Sequence, residues 1–206
     1  MKISILLPYK ENFSPSYPGA VSIFLNSVIK LSKYKKDTTV YGNTDYKKIY
    51  PIQYKNINIS KKILGIGSQT SKYINRFIQL QKKSQSDIIE VHNRPLYIQL
   101  LPQIKSLLVL YFHNDPLSMN GSKSNSERVD LLLKCSKIIF NSEWSKKRFL
   151  TKLDNIYQKS EKLLVIPQST IKHKVDLKKK KNIITFVGKL NKAKGYDIFG
   201  QAIVRI

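Results

Sequence analysis

Two short runs hold the side chains with the most chemical reach. His92-Asn93-Arg94 and His113-Asn114-Asp115 each follow directly on an apolar stretch, residues 87–91 and 107–112. Short apolar runs of this kind read as buried strands. Each histidine therefore stands at a strand end, and two of the three histidines in the chain share one rim of a sheet. An imidazole there can hydrogen-bond a sugar hydroxyl or exchange a proton near neutral pH. Asn and Asp at the same positions also serve ordinary turns with no ligand at all, and the residues alone leave both readings open. A metal site lacks an evident third ligand. The second place is Gly19, which ends a loop with Pro15 and Pro18 and precedes a helical pattern. Backbone N–H groups at such a helix start can approach a phosphate, although Pro-Gly before a helix is also a common turn. The third is residues 186–195, FVGKLNKAKG. Gly188, Lys189, Lys194 and Gly195 there could hold a diphosphate, set against chance lysines in a lysine-rich chain.

These residues need elements to position them. Lys2–Leu7 reads as a buried strand ended by Pro8. From Ala20 to Lys33, Val21, Phe24, Leu25, Val28, Ile29 and Leu31 fall at helical spacing. Thr38–Tyr41 is β-branched and strand-like. Residues 45–68 give a weaker signal, with a short strand at Ile57–Ile59 and a loop. Lys72–Lys83 is an amphipathic helix with Tyr73, Phe77, Ile78 and Leu80 inward. The pattern then becomes regular: strand Asp87–Val91, helix Leu96–Ile104, strand Leu107–Phe112, helix Asn125–Leu133, strand Lys137–Phe140, helix Ser145–Leu153 and strand Leu163–Ile166. Alternating buried strands and helices predict an α/β fold, a Rossmann-like and mostly parallel sheet flanked by helices. Residues 168–182 lose all periodicity, carry a run of four lysines and read as a linker. Ile183–Val187 then restarts as a strand, and Tyr196–Ile206 as a helix.

Composition bounds the function classes. With 206 residues and 41% hydrophobic content, the chain has room for one complete core. No apolar run approaches the roughly 20 residues of a membrane span. A single cysteine, Cys135, rules out an internal disulfide and a cysteine-built zinc site. The formal charge of +24 invites polyanions, but nearly all the excess is lysine. Arginine, the residue favoured for base readout and bidentate phosphate contacts, occurs five times. The charge fits either compositional bias with a solvated lysine surface or a contact with anionic membrane; nucleic acid is disfavoured. The expected location is the cytoplasm, with a peripheral position at the membrane face.

Residues 187–195 resemble the start of the C-terminal domain in retaining glycosyltransferase family 4. That motif reads Val-Gly-Arg-Leu, three variable residues, then Lys-Gly; here it is Val187-Gly188-Lys189-Leu190 and Lys194-Gly195. Lysine at 189 replaces the usual arginine and loses its planar fork. Ile138–Glu143 is similar to the family's strand and Ser-Glu helix start. Val165-Ile166-Pro167 is similar to the segment that usually continues Asn-Gly, where this chain has Gln168-Ser169. Tyr111–Asp115 resembles the strand-end histidine near the donor sugar, and Gly19 the glycine of the first loop.

The resemblance implies a GT-B enzyme with an acceptor-side Rossmann-like domain over 1–167, a linker over 168–182 and a truncated donor-binding domain from 183. It implies a nucleotide-sugar donor, no metal and no further cofactor; the basic charge of the acceptor-side domain suits a glycan or lipid-linked acceptor of cell-surface polysaccharide, lipopolysaccharide or glycolipid synthesis. By that resemblance His113 is catalytic, while Gly19, Gly188, Lys189 and Lys194 hold the donor diphosphate. His92, Asn93, Arg94, Asn114 and Asp115 are left to contact sugar or acceptor. The family's glutamate pair falls beyond Ile206, so the 206 residues alone are expected to transfer no sugar. The rival from another class is a basic polyanion-binding module without catalysis. A Rossmann-type sugar-nucleotide epimerase is a second rival, set aside here because no Gly-x-Gly-x-x-Gly follows the first strand.

Overall fold

The computed structural model describes residues 1–59, 68–102, 104–169, 182–188, 190 and 192–205. Its contacts divide the chain into two units, Met1–Ile171 and Lys172–Ile206.

The first unit is built on seven strands: β1 (Ile3–Leu6), β2 (Thr38–Gly42), β3 (Tyr54–Asn56), β4 (Ile88–His92), β5 (Leu107–Phe112), β6 (Lys137–Phe140) and β7 (Leu163–Val165). They lie in the order β3-β2-β1-β4-β5-β6-β7, and every pairing is parallel. Parallel strands need crossovers, and helices supply them. These are α1 (Ala20–Leu31), α2 (Gln69–Lys83), α3 (Pro95–Leu100), α4 (Asn125–Lys134), α5 (Glu143–Leu150) and the short α6 (Asn155–Gln158). The order reverses between β1 and β4, which makes the carboxyl ends of these strands the topological switch point of a Rossmann-like sheet.

Strand alternation divides the core in two. Leu6, Ile89, Val91, Leu110, Phe112, Ile138 and Phe140 face one side, with Tyr73, Ile74 and Phe77 of α2 and Leu131 and Leu132 of α4. Ile5, Leu7 and Val40 face the other, beneath Val21, Leu25 and Ile29 of α1. The latter three recur every four residues, the stripe a core-facing helix needs. Glu90 and His92 alternate with Ile89 and Val91, so they point to the α1 side.

Several boundaries differ from the sequence reading. α3 stops at Leu100 because Leu101 caps it in extended conformation ahead of Pro102. α5 starts at Glu143, since Ser142 and Ser145 form a capping box. The edge strand is Tyr54–Asn56, not Ile57–Ile59; Ile57 is fully buried, donating to the Gly42 carbonyl just past the strand.

In the second unit, residues 182–187 form no strand. A strand exists through its ladder, and among the described residues of this unit no other strand offers one. Ile183, Ile184 and Val187 are well exposed. What does form there is a turn over Lys192–Lys194 and α7 (Tyr196–Ile203). Most of the expected linker, and Lys189, lie outside the described residues. Gln168, expected to begin that linker, belongs to the first unit.

Candidate functional site at the carboxyl rim of the sheet

β4 ends on His92 and β5 runs one residue short of His113, in a register that sets His92 beside Tyr111. Residues two apart on a strand share a face. Glu90, His92, Tyr111 and His113 therefore converge on the α1 side of the rim. His92 Nδ1 lies 2.8 Å from His113 Nε2, and His92 Nε2 lies 2.5 Å from Glu90 Oε1. The outer nitrogen of His113, Nδ1, meets the side-chain amide nitrogen of Gln168. The result is a continuous chain, Glu90–His92–His113–Gln168, running from a partly buried carboxylate through a wholly buried imidazole to an exposed amide.

The rings are fixed by their neighbours. Tyr111 stacks on His113 with centroids 4.5 Å apart and planes 9° apart, and on His92 at 5.4 Å and 16°. Phe24 of α1 sets its edge against His113. The Tyr111 hydroxyl donates to the Ile166 carbonyl at 2.6 Å. The backbone of His113 is held as well: its N–H donates to Asn93 Oδ1 at 3.2 Å, and its carbonyl accepts from Asn141 Nδ2 at 2.9 Å. Asn93 reaches this position in the left-handed region, with φ 55°, which Asn tolerates better than most residues. Burial, reinforced by neighbouring His92, lowers the His113 pKa from 6.5 to about 3.

A cleft of about 550 Å³ opens at the switch point, with neither histidine in its walls. Its walls include Tyr9 and Lys10 after β1, Asn93 and Arg94 after β4, and Ser118 and Asn120 after β5. The Tyr9 N–H donates to the Tyr97 hydroxyl at 2.8 Å, which ties the β1 loop to α3.

The remaining predicted residues are spread more widely. Asn114 is exposed. Arg94 donates to the Asn93 carbonyl at 2.7 Å. Asp115 is occupied structurally: Arg148 donates to it at 2.9 Å, and it caps the turn at Leu117 at 3.0 Å. The Arg148 hydrogen bond is the main cause that lowers the Asp115 pKa. Gly19 caps α1 with no side chain of its own. A Cβ there would overlap the Glu11 carboxylate, whose Oε1 accepts from the Ser22 N–H at 3.0 Å. A carboxylate thus occupies the helix start that was expected to meet a phosphate. In the second unit, a Cβ on Gly188 would press on the Phe186 ring at 3.2 Å. Lys194 is exposed, and Gly195 starts α7 at φ 70°. Among the described residues, no group of three or more His, Cys, Asp or Glu is arranged to hold a metal ion.

Sequence reasoning missed Glu90, Glu11 and Gln168. Glu90 was legible from alternation, because it lies two residues before His92. Gln168 stood out as a departure from a motif, without a role. Glu11 gave no signal, since its contact depends on how the 8–19 loop folds back.

No family model matches the chain, and no curated protein matches it either. Solved structures do match. The structure of HepE from Anabaena in complex with UDP-glucose superposes with a TM-score of 0.54 at 15% identity, covering 82% of this chain and 44% of that one. A UDP-N-acetylglucosamine 2-epimerase superposes with a TM-score of 0.52 at 12% identity, covering 80% of this chain and 47% of that one. The chain thus spans less than half the length of these structures. The likeness establishes the Rossmann-like α/β fold. It does not reach family 4.

Proposed function

We propose that this chain contributes the acceptor-side half of a GT-B glycosyltransferase, which moves a sugar from a nucleotide donor to a glycan or lipid-linked acceptor. The observation that carries the reading is the carboxyl rim at the β1/β4 switch point, where the strand ends bring His92 and His113 together and the loops after β1 and β4 line a cleft. Ligands of open parallel sheets bind at this crevice. One fold neighbour is in complex with UDP-glucose and the other is named for UDP-N-acetylglucosamine, which supports a nucleotide sugar as the ligand class. In this reading His113 touches the donor sugar, with Asn93, Arg94 and the cleft holding the acceptor. Gly188, Lys189 and Lys194 stabilise the departing diphosphate electrostatically. A diphosphate approaching Gly19 would displace the Glu11 carboxylate from the start of α1. Family 4 membership, retention of anomeric configuration and a role in surface-polysaccharide or glycolipid synthesis belong to the same proposal. So do the cytoplasmic location and the absence of a cofactor.

A second reading, a nucleotide-sugar epimerase, is favoured by the likeness to the 2-epimerase. The test follows UDP-glucose and UDP-N-acetylglucosamine by proton NMR with the product of the whole reading frame, with and without a glycan or polyprenyl-linked acceptor. Transfer with retained configuration is the expected result. A 2-epimeric nucleotide sugar formed without acceptor would establish the second reading, and inertness toward both sugars would overturn both. The 206 residues alone are expected to give neither product.

A further inference from the structure

We infer that Glu90 and His92 are positioning residues. The hydrogen-bonded chain they form fixes His113 as the Nε2–H tautomer, leaving its Nδ1 lone pair as an acceptor for a ligand hydroxyl at the place Gln168 now occupies. The ligand class, a sugar hydroxyl, rests on the nucleotide-sugar reading above; the tautomer does not.

The direction of the chain follows from its inner end. An ionised carboxylate only accepts hydrogen bonds. Glu90 Oε1, 2.5 Å from His92 Nε2, therefore accepts the hydrogen bond that His92 donates from that nitrogen. A neutral imidazole has one donor and one acceptor, so His92 Nδ1 is a lone pair. The atom facing it at 2.8 Å is His113 Nε2, which must donate. His113 is then left with a lone pair on Nδ1, and its neighbour there is an amide nitrogen, that of Gln168. Each link satisfies the next, and a change at the carboxylate is felt two residues along the chain.

Packing makes this a built arrangement rather than a solvent-exposed contact. His92 is 0% exposed, so water does not compete for its nitrogens. The stacked Tyr111, the Phe24 edge and the two hydrogen bonds to the His113 backbone leave the ring little freedom to turn. The group with freedom is Gln168, which is exposed. Its amide donates where an incoming hydroxyl would donate, so exchange of the two leaves the inner links intact. The low basicity of buried His113 agrees with this, since a neutral ring keeps its lone pair at neutral pH.

Long-range proton–nitrogen NMR of the histidine rings tests the inference on the 206-residue chain at pH 7. His92→Gln and His113→Gln assign the signals. The expected spectrum shows both His92 and His113 protonated on Nε2 and unprotonated on Nδ1. Glu90→Leu should abolish the tautomer preference of both rings, and Gln168→Ala should preserve it while shifting His113 Nδ1. A doubly protonated His92, a His113 carrying its proton on Nδ1, or an unchanged pair of tautomers in Glu90→Leu would each overturn the inference. The wild-type spectrum decides the first two outcomes even if Glu90→Leu fails to fold. If the tautomers are as expected and UDP-glucose leaves His113 Nδ1 unmoved in the protein used for the transfer assay, the nucleotide-sugar reading and the hydroxyl assigned through it fail, while the positioning role of Glu90 and His92 stands.

Discussion

A histidine held neutral by burial has a thermodynamic consequence. In the unfolded chain the His113 imidazole titrates near 6.5, whereas in the folded chain its pKa is lowered to about 3. Below pH 6.5 the unfolded state therefore binds a proton that the native site refuses. Stability is fully present above 6.5 and is lost as the pH falls toward the folded value, by at most about 1.4 kcal/mol per pH unit. Asp115, lowered chiefly by the Arg148 hydrogen bond, and Glu127, lowered chiefly by the Ser124 backbone, add their own losses only in the more acidic carboxylate range. The range between about pH 6.5 and 5 lies above those carboxylates, and comparison with His113→Gln within it singles out this imidazole. The wild type should lose stability across that window, and His113→Gln should flatten the slope. Equal slopes in the two proteins would contradict the buried, neutral His113.

The helices show which contacts join the sheet to its connections. Arg128 on α4 is among the largest fully buried side chains. It donates to the carbonyls of Ser122, Lys123 and Thr151 and to Asn125 Oδ1, at 2.6–3.3 Å. A sequence reader counts it as one more positive charge, yet it is the tie between the start of α4 and the turn after α5. Arg128→Met should therefore destabilise the chain by about 1–3 kcal/mol, because three carbonyls, that of Ser122 buried, lose their donor. Arg128→Lys should recover only part of that, lacking the planar fork. Chemical denaturation measures both, and a loss below about 0.5 kcal/mol, the ordinary size of a surface change, would mean water replaces the guanidinium. The contrast with the strands is instructive. Continuous apolar runs such as Leu107–Phe112 and periodic stripes such as Val21, Leu25 and Ile29 were legible because burial imposes them directly on the sequence. Tyr54–Asn56 was not, since a short, polar edge strand carries almost no burial signal. Ile183–Val187 misled because a β-rich run specifies a strand only when a neighbour completes its ladder. At the site, the two histidines were legible from their strand ends. The roles of Glu11 and Gln168 depend on loop paths that no periodicity records.

Across the whole molecule the formal charge of +24 is carried mainly by lysine, and the structure sharpens the difference between the two cations. Arg128 is buried in carbonyl contacts, Arg148 pairs with Asp115 at 2.9 Å, and Arg94 is turned onto the Asn93 carbonyl. What these leave for a partner is chiefly ammonium groups, which act as diffuse point charges and not as a fork that reads bases. No helix among the described residues is long and apolar enough to cross a membrane. Each lysine near an anionic leaflet contributes about 1 kcal/mol, and a handful suffices for reversible binding. Flotation with vesicles of neutral lipid alone and with anionic lipid added should recover the protein only on the anionic vesicles. Raising salt to about 1 M, where the screening length shrinks to about 3 Å, should release it. Equal failure to float with both vesicle types would make the lysine excess a property of composition alone. Binding to duplex DNA with a steeper salt slope than to the vesicles would return the polyanion module to first place.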